Sequence, residues 1–289
     1  MLQPNFDLQS HSTYSDGQLP PAEVVRAAAD AGVRLLALSD HDSVEGVAEA
    51  QEAAASAGIE LVPAVELSAV ERDYEDYHVL GYRIDHRDPE LLERTAEARA
   101  DRYRRADRMA ERLNELGFAV DDAVLDARRS VGAVLGRPHL ATAVVTHPAN
   151  AERLSELGLE TIERFIPAYL IPGTPAYVPR SRPTVQEAIG WIHDAGGMAI
   201  WAHPFWDVKE DEIVLANIDR YRAWGVDGVE CFYPTYSPEQ TRLLAGRCRE
   251  LGLLTTGSSD YHGPTHKIFS RFLAHELHGE EPELGAIAG

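Results

Sequence analysis

Imidazole and carboxylate side chains punctuate the ends of short apolar runs along this sequence. LLALSDHD closes on Asp40 and His41, ELVPAVE on Glu66, MAIWAHP on His203 and LLTTGSSDYH on Asp260 and His262. DYHVLGY carries His78, and the opening FDLQSHSTYSDG places His11 and Asp16 in the same way. The repetition points to polar groups converging on one rim of a parallel sheet or barrel, the rim where barrel enzymes carry their chemistry. Imidazole and carboxylate together suit divalent ions such as Mn, Fe or Zn. A carboxylate such as Glu66 can bridge two ions, and two or three ions about 3.5–4 Å apart bind both the attacking and the leaving oxygens of phosphoryl transfer.

Such a rim needs a scaffold. Residues 5–9, 34–38, 60–65 and 77–82 read as strands, with helices over 21–31 and 43–57 between the first three. Pro20 and Pro21 open the first helix, and Gly32 and Gly58 stop the pair. Strand–helix–strand alternation implies a parallel sheet. The middle reads as helices over 89–116, 121–129, 138–146, 151–157 and 159–168. A loop with four prolines follows at 172–183. Helices over 184–195, 211–224 and 238–251 then alternate with strands at 198–202, 228–232 and 254–257. The expected α/β organisation is one barrel from 1–87 and 171–289, carrying the metal site. A helical insertion at 88–170 covers that site.

The ordered set FDLQSHSTYSDG, LALSDHDSVEG, VPAVELS, YHVLGY, WAHP and GSSDYHG resembles the successive motifs of the polymerase and histidinol phosphatase (PHP) family. Its nearest similarity is to the branch of 3′,5′-nucleoside bisphosphate phosphatases and short-RNA 5′–3′ exonucleases. GRPHLA at 136–141 and PAYVPR at 175–180 resemble that branch too. The match runs from residue 7 to about 263. The resemblance implies a PHP-type distorted (β/α)7 barrel with up to three divalent ions. It would assign His11, Glu66 and Asp260 to one ion, and Glu66, His78 and His203 to a second. Asp16, His41 and His262 would hold a third. The family opens with His-x-His, whereas this chain has Gln9-Ser10-His11. Gln9 is therefore a weak or uncertain ligand, since an amide oxygen donates less strongly than imidazole.

The resemblance implies a metal-dependent phosphoesterase acting on a nucleotide phosphomonoester, a 3′,5′-nucleoside bisphosphate, through a metal-bound hydroxide. Rival readings are a 5′–3′ exonuclease on short RNA, a histidinol-phosphate-type phosphatase, an amidohydrolase and a non-catalytic metal module. Arg137 and Arg180 are candidates for binding substrate phosphate, because guanidinium forks suit oxygens that the metals do not reach. His139 is a candidate acid, and Asp40 and Glu230 are candidate acids or supports of the ligands. Tyr177 and Tyr233 can stack a base, but packing is the plainer reading. His86, His147, His193, His266, His275 and His278 fall outside every motif.

The net charge of -20 argues against a broad basic surface for long duplex nucleic acid. It does not argue against a small phosphorylated substrate, because bound cations reverse the field locally. Arg99, Arg102, Arg104, Arg105, Arg108 and Arg112 interleave with Asp and Glu, as on a solvated, ion-paired helix. Cys231 and Cys248 lack paired spacing, so no disulfide framework is expected. No signal peptide is read at the start, and no apolar stretch approaches the roughly 20 residues of a membrane helix. A soluble cytoplasmic protein is expected.

Overall fold

The computed structural model describes residues 4–71, 74–130, 135–179 and 183–289. Seven strands form one sheet: β1 (Phe6–Asp7), β2 (Leu35–Leu38), β3 (Glu60–Glu71), β4 (Tyr74–Tyr82), β5 (Met198–Trp201), β6 (Gly228–Phe232) and β7 (Leu254–Gly257). Their order in the sheet is their order in the chain. The Leu8 N–H donates to the Gly257 carbonyl at 3.2 Å, and Ser10 bridges Tyr261 in parallel. The first strand thus meets the last, and the sheet is nearly closed into a barrel.

Helices α1 (Pro21–Asp30) and α2 (Val47–Ala57) follow β1 and β2. Proline starts α1, and Gly58 at φ +70° ends α2, a conformation that costs other residues a clash with Cβ. The chain then leaves the barrel through α3 (Pro89–Glu115), followed by α4 (Asp122–Arg129), α5 (Arg137–Val145), α6 (Ala151–Leu157) and α7 (Ile162–Tyr169). It returns through α8 (Val185–Asp194), with the single turn α9 (Pro204–Asp207) and α10 (Asp211–Ala223) between β5 and β6. Finally α11 (Pro238–Leu251) joins β6 to β7. Thr184 with Glu187 and Ser237 with Gln240 form capping boxes on α8 and α11, so both helix starts are written locally.

The sheet is not wholly parallel, as the alternation had implied. β4 runs antiparallel to both β3 and β5, while the other neighbours are parallel. Only two residues separate Glu71 from Tyr74, which leaves no room for the crossover a parallel strand requires.

Two compact units emerge, Met1–Thr95 with Arg182–Gly289, and Ala96–Ser181. The sequence pattern alone places the breaks at 87/88 and 170/171. The difference at the first break has a simple cause: α3 is one continuous helix, so no loop marks the boundary. Its first turns are tied to the barrel unit, where Arg94 pairs with Asp194 at 2.8 Å and lies over the Trp191 ring. The barrel core includes Leu67, Leu80, Ile200, Trp201 and Phe232. The helical unit has its own core, in which Phe118 and Phe165 meet edge to face beside Leu113, Leu140 and Val144. Among the described residues, no helix is long and apolar enough to cross a membrane.

Candidate metal centre

Strand register delivers the ligand candidates. In the β3–β4 ladder Ser68 faces His78. Alternate residues of a strand share a face, so Glu66 and Ser68 point the same way and His78 lies diagonally across from Glu66. His41, just beyond β2, forms a parallel bridge with Glu66. His203 follows β5, and Asp260 and His262 follow β7. His11 follows β1, with the bend Ser12–Gly17 carrying Asp16 to the rim.

Glu66 is fully buried and sits among four imidazoles. Its Oε1 lies 2.9 Å from His78 Nδ1 and 3.1 Å from His203 Nε2. Its Oε2 lies 3.2 Å from His11 Nε2 and 3.3 Å from His41 Nδ1. His11 Nε2 is also 3.0 Å from Asp260 Oδ1. Asp16 closes the other side, with one oxygen 3.4 Å from His262 Nε2 and the other 3.7 Å from His41 Nε2. All eight residues therefore join one continuous cluster. Within it, donor atoms of His11, Asp16, His41 and His262 lie within 4.8 Å of one another, as do those of His41, Glu66 and His78.

These residues fit divalent ions. Ligand atoms about 2.1 Å from an ion and at right angles to each other are about 3 Å apart, close to the nitrogen–oxygen separations around Glu66. The buried His41 Nδ1 makes no hydrogen bond, although a carboxylate oxygen is 3.3 Å away. Donors that approach without hydrogen-bond alignment aim at a common third point. The backbone is strained at two of the candidates, with φ at +27° for His203 and +52° for Asp260. Such conformations persist where the surroundings impose them, often at functional sites.

Electrostatics reinforce the arrangement. Burial pushes His41 down to about 4, so at neutral pH the ring is uncharged and keeps one nitrogen free to ligate. Burial opposes the charge on Glu66 as well, but His41 and His78 outweigh it and hold the carboxyl well below its usual range. For His11, burial is outweighed by the contacts with Asp260 and Glu66, which raise the ring well above its ordinary value. In the metal-free cluster His11 therefore holds its proton more tightly than an ordinary imidazole does.

Neighbouring side chains fix the ligands. Tyr233 donates its hydroxyl to Asp260 Oδ2 at 2.7 Å. Glu230 accepts the His203 N–H at 2.9 Å and the Ser258 hydroxyl at 2.5 Å, and burial pushes its carboxyl up to about 8. Asp40 is bonded to the serines of the bend rather than, among the described contacts, to an imidazole. It accepts the Ser12 N–H and both the Ser12 and Ser15 hydroxyls at 2.6–2.7 Å, which fastens the bend that carries Asp16. Gln9 is buried beside this group, with its Oε1 3.4 Å from Ser258 Oγ and its Nε2 without a hydrogen bond. The contacts of Tyr233 and Ser12 were not readable from the sequence, although the serines of QSHSTYSDG were a usable signal.

In the helical unit, Arg137 begins α5 and lines a small cavity with Arg102 and Arg105 of α3. His139 Nδ1 accepts the Gly136 N–H at 3.0 Å and so serves the start of α5. The arginines of α3 are not all solvated, as their interleaving with acids had suggested. Arg104 pairs with Glu97, but Arg105 is buried, donates to the Val178 carbonyl at 2.6 Å and lies over the Tyr177 ring. Tyr177 is thereby packed beneath Arg105. Arg180 lies outside the described residues.

Known proteins share this framework. Residues 7–120 match the family model of the PHP domain. A 3′,5′-nucleoside bisphosphate phosphatase of Chromobacterium violaceum is 35% identical over 263 residues, covering 90% of this chain and 88% of that protein. A 5′-3′ exoribonuclease of Haemophilus influenzae is 33% identical over 260 residues, covering 90% of each. A solved structure from Bifidobacterium adolescentis, described as a metal-dependent phosphoesterase, superposes with a TM-score of 0.77 at 28% identity. That superposition covers 99% of this chain and 96% of the other.

Proposed function

This chain is a metal-dependent phosphoesterase that belongs to the PHP-domain family, and from that premise we propose that it removes one phosphate from a 3′,5′-nucleoside bisphosphate. The observation that carries the reading is Glu66, each of whose oxygens faces its own pair of imidazoles. That arrangement suits a carboxylate shared between two ions. His11 and Asp260 complete one set, His78 and His203 a second, and Asp16, His41 and His262 a third. Gln9 stands where an imidazole would strengthen the first set, so that set holds its ion most loosely.

When bound, divalent ions neutralise charge on the phosphoryl oxygens and make water more acidic. The chain's own groups do the rest. Tyr233 orients the Asp260 carboxylate, and Glu230 holds the strained backbone at His203. The bend fastened by Asp40 sets the reach of Asp16. In this reading the guanidinium forks of Arg137 and Arg180 hold the phosphate that is not cleaved. Relatives named for both activities support a second reading, 5′–3′ trimming of short RNA, on the same cluster.

The test is phosphate release from adenosine 3′,5′-bisphosphate with Mn²⁺, Fe²⁺ or Zn²⁺ supplied in turn. Histidinol phosphate and a short 5′-phosphorylated RNA run in parallel. Release from the bisphosphate is the expected result. Turnover of histidinol phosphate alone would replace this reading with its rival, and shortening of the RNA without bisphosphate turnover would favour the exonuclease.

A further inference from the structure

Trp206 lies three residues after His203, on the single turn α9. Its side chain is 40% exposed, whereas the neighbouring Phe269 and Tyr233 are buried. Its ring centroid is 5.4 Å from Phe269 and 6.3 Å from Tyr233. Phe269 is 5.7 Å from His262, and His266 stacks on it at 5.3 Å with the planes 13° apart. Tyr233 in turn is 5.6 Å from His203. The rings, tilted against one another, pack from candidate metal ligands out to the exposed indole, which forms the open shelf.

Packing accounts for Phe269 and Tyr233, and it leaves the Trp206 indole as an exposed aromatic face beside the polar cluster, where a planar group can stack. A ligand that spans both is flat and apolar at one end, and joined at the other to a group that seats among His203, Asp260 and His262. We propose that this shelf stacks the base of a nucleotide substrate, with Trp206 as the specificity-determining residue. This rests on the phosphatase reading above. Stacking tolerates any base, since each has a π-face, so the shelf selects nucleotides as a class rather than one base.

Phosphate release is compared for adenosine 3′,5′-bisphosphate and for ribose 3,5-bisphosphate, which lacks the base. Trp206→Ala raises the KM of the nucleotide about tenfold relative to that of the sugar bisphosphate, without lowering kcat. Trp206→Phe keeps most of the preference. Equal KM changes for the two substrates, or no change, would overturn the proposal. If the wild type hydrolyses neither, the phosphatase reading fails on its own. The shelf is then judged by calorimetric titration of the metal-loaded protein with adenosine 3′,5′-bisphosphate. A Kd about tenfold weaker in Trp206→Ala supports it, and an unchanged Kd or absent binding overturns it. A wild-type dimer that Trp206→Ala splits would also overturn it, because a second copy would then be what covers the indole.

Discussion

Glu66 is where four imidazoles meet around one buried carboxylate. Glu66→Gln keeps the shape and removes the charge. Bound metal and phosphate release should both fall by more than about 100-fold, since even residues one step behind a ligand cost 10–100-fold when lost. Elemental analysis after gel filtration reads the metal, and full retention would remove Glu66 from the ligand set. Tyr233→Phe deletes only the hydrogen bond to Asp260 and should weaken metal binding about tenfold with the fold intact. An unchanged binding isotherm would make Tyr233 a packing residue. The raised value of His11 gives a further expectation. The proton must leave before the ring nitrogen can ligate, so metal affinity should rise with pH through the neutral range. Calorimetry in buffers of different ionisation enthalpy should show proton release, and a pH-independent affinity would contradict it. Linkage has the opposite sign in the metal-free protein. The raised His11 value stabilises the fold fully below the unfolded histidine value near 6.5, and this contribution is lost as pH climbs through the raised value.

At the scale of elements, the bend Ser12–Gly17 depends on one distant acid. Asp40 ends the approach from β2 and receives three hydrogen bonds from Ser12 and Ser15. Asp40→Ala leaves those buried donors unpaired and should cost about 1–3 kcal/mol, read as a lower melting temperature. Loss of activity without loss of stability would instead place Asp40 in the chemistry. Polar strand endings were legible because strands that run in parallel all end on one rim. His78 breaks the rule, since it lies within β4 and that strand runs the other way. The usable signal was the short interval between Glu71 and Tyr74. Asp40 reads in the sequence as an acid or a support of the ligands, and the serines it holds lie more than 20 residues away along the chain. Contacts of that kind leave no periodic trace in a sequence. The same holds for Tyr233 on Asp260 and for Phe269 under Trp206.

For the molecule as a whole, the ligand candidates run from His11 to His262 and belong to the barrel unit. Bound ions should therefore stabilise that unit as a body. At 100–1,000 times Kd, a ligand of the folded state adds about 3–4 kcal/mol, or roughly 6–15 °C of melting temperature for a unit of this size. Differential scanning calorimetry with and without chelator reads the shift. Identical traces would mean that the cluster holds its ions too weakly to matter. The helical unit, with its own core around Phe118 and Phe165, should melt without this dependence.

The meeting of β1 with β7 has a consequence for synthesis. His11 leaves the ribosome early, while its partner Asp260 is made 249 residues later. A nascent chain carries five of the eight cluster residues for most of its elongation, and Glu66 waits with three imidazoles until His203 arrives. Ring closure across so long a chain is slow, because its entropy cost precedes its reward. Hydrolytic competence should thus switch on abruptly, once the last strand docks, and prematurely terminated products should be inert toward cellular phosphoesters.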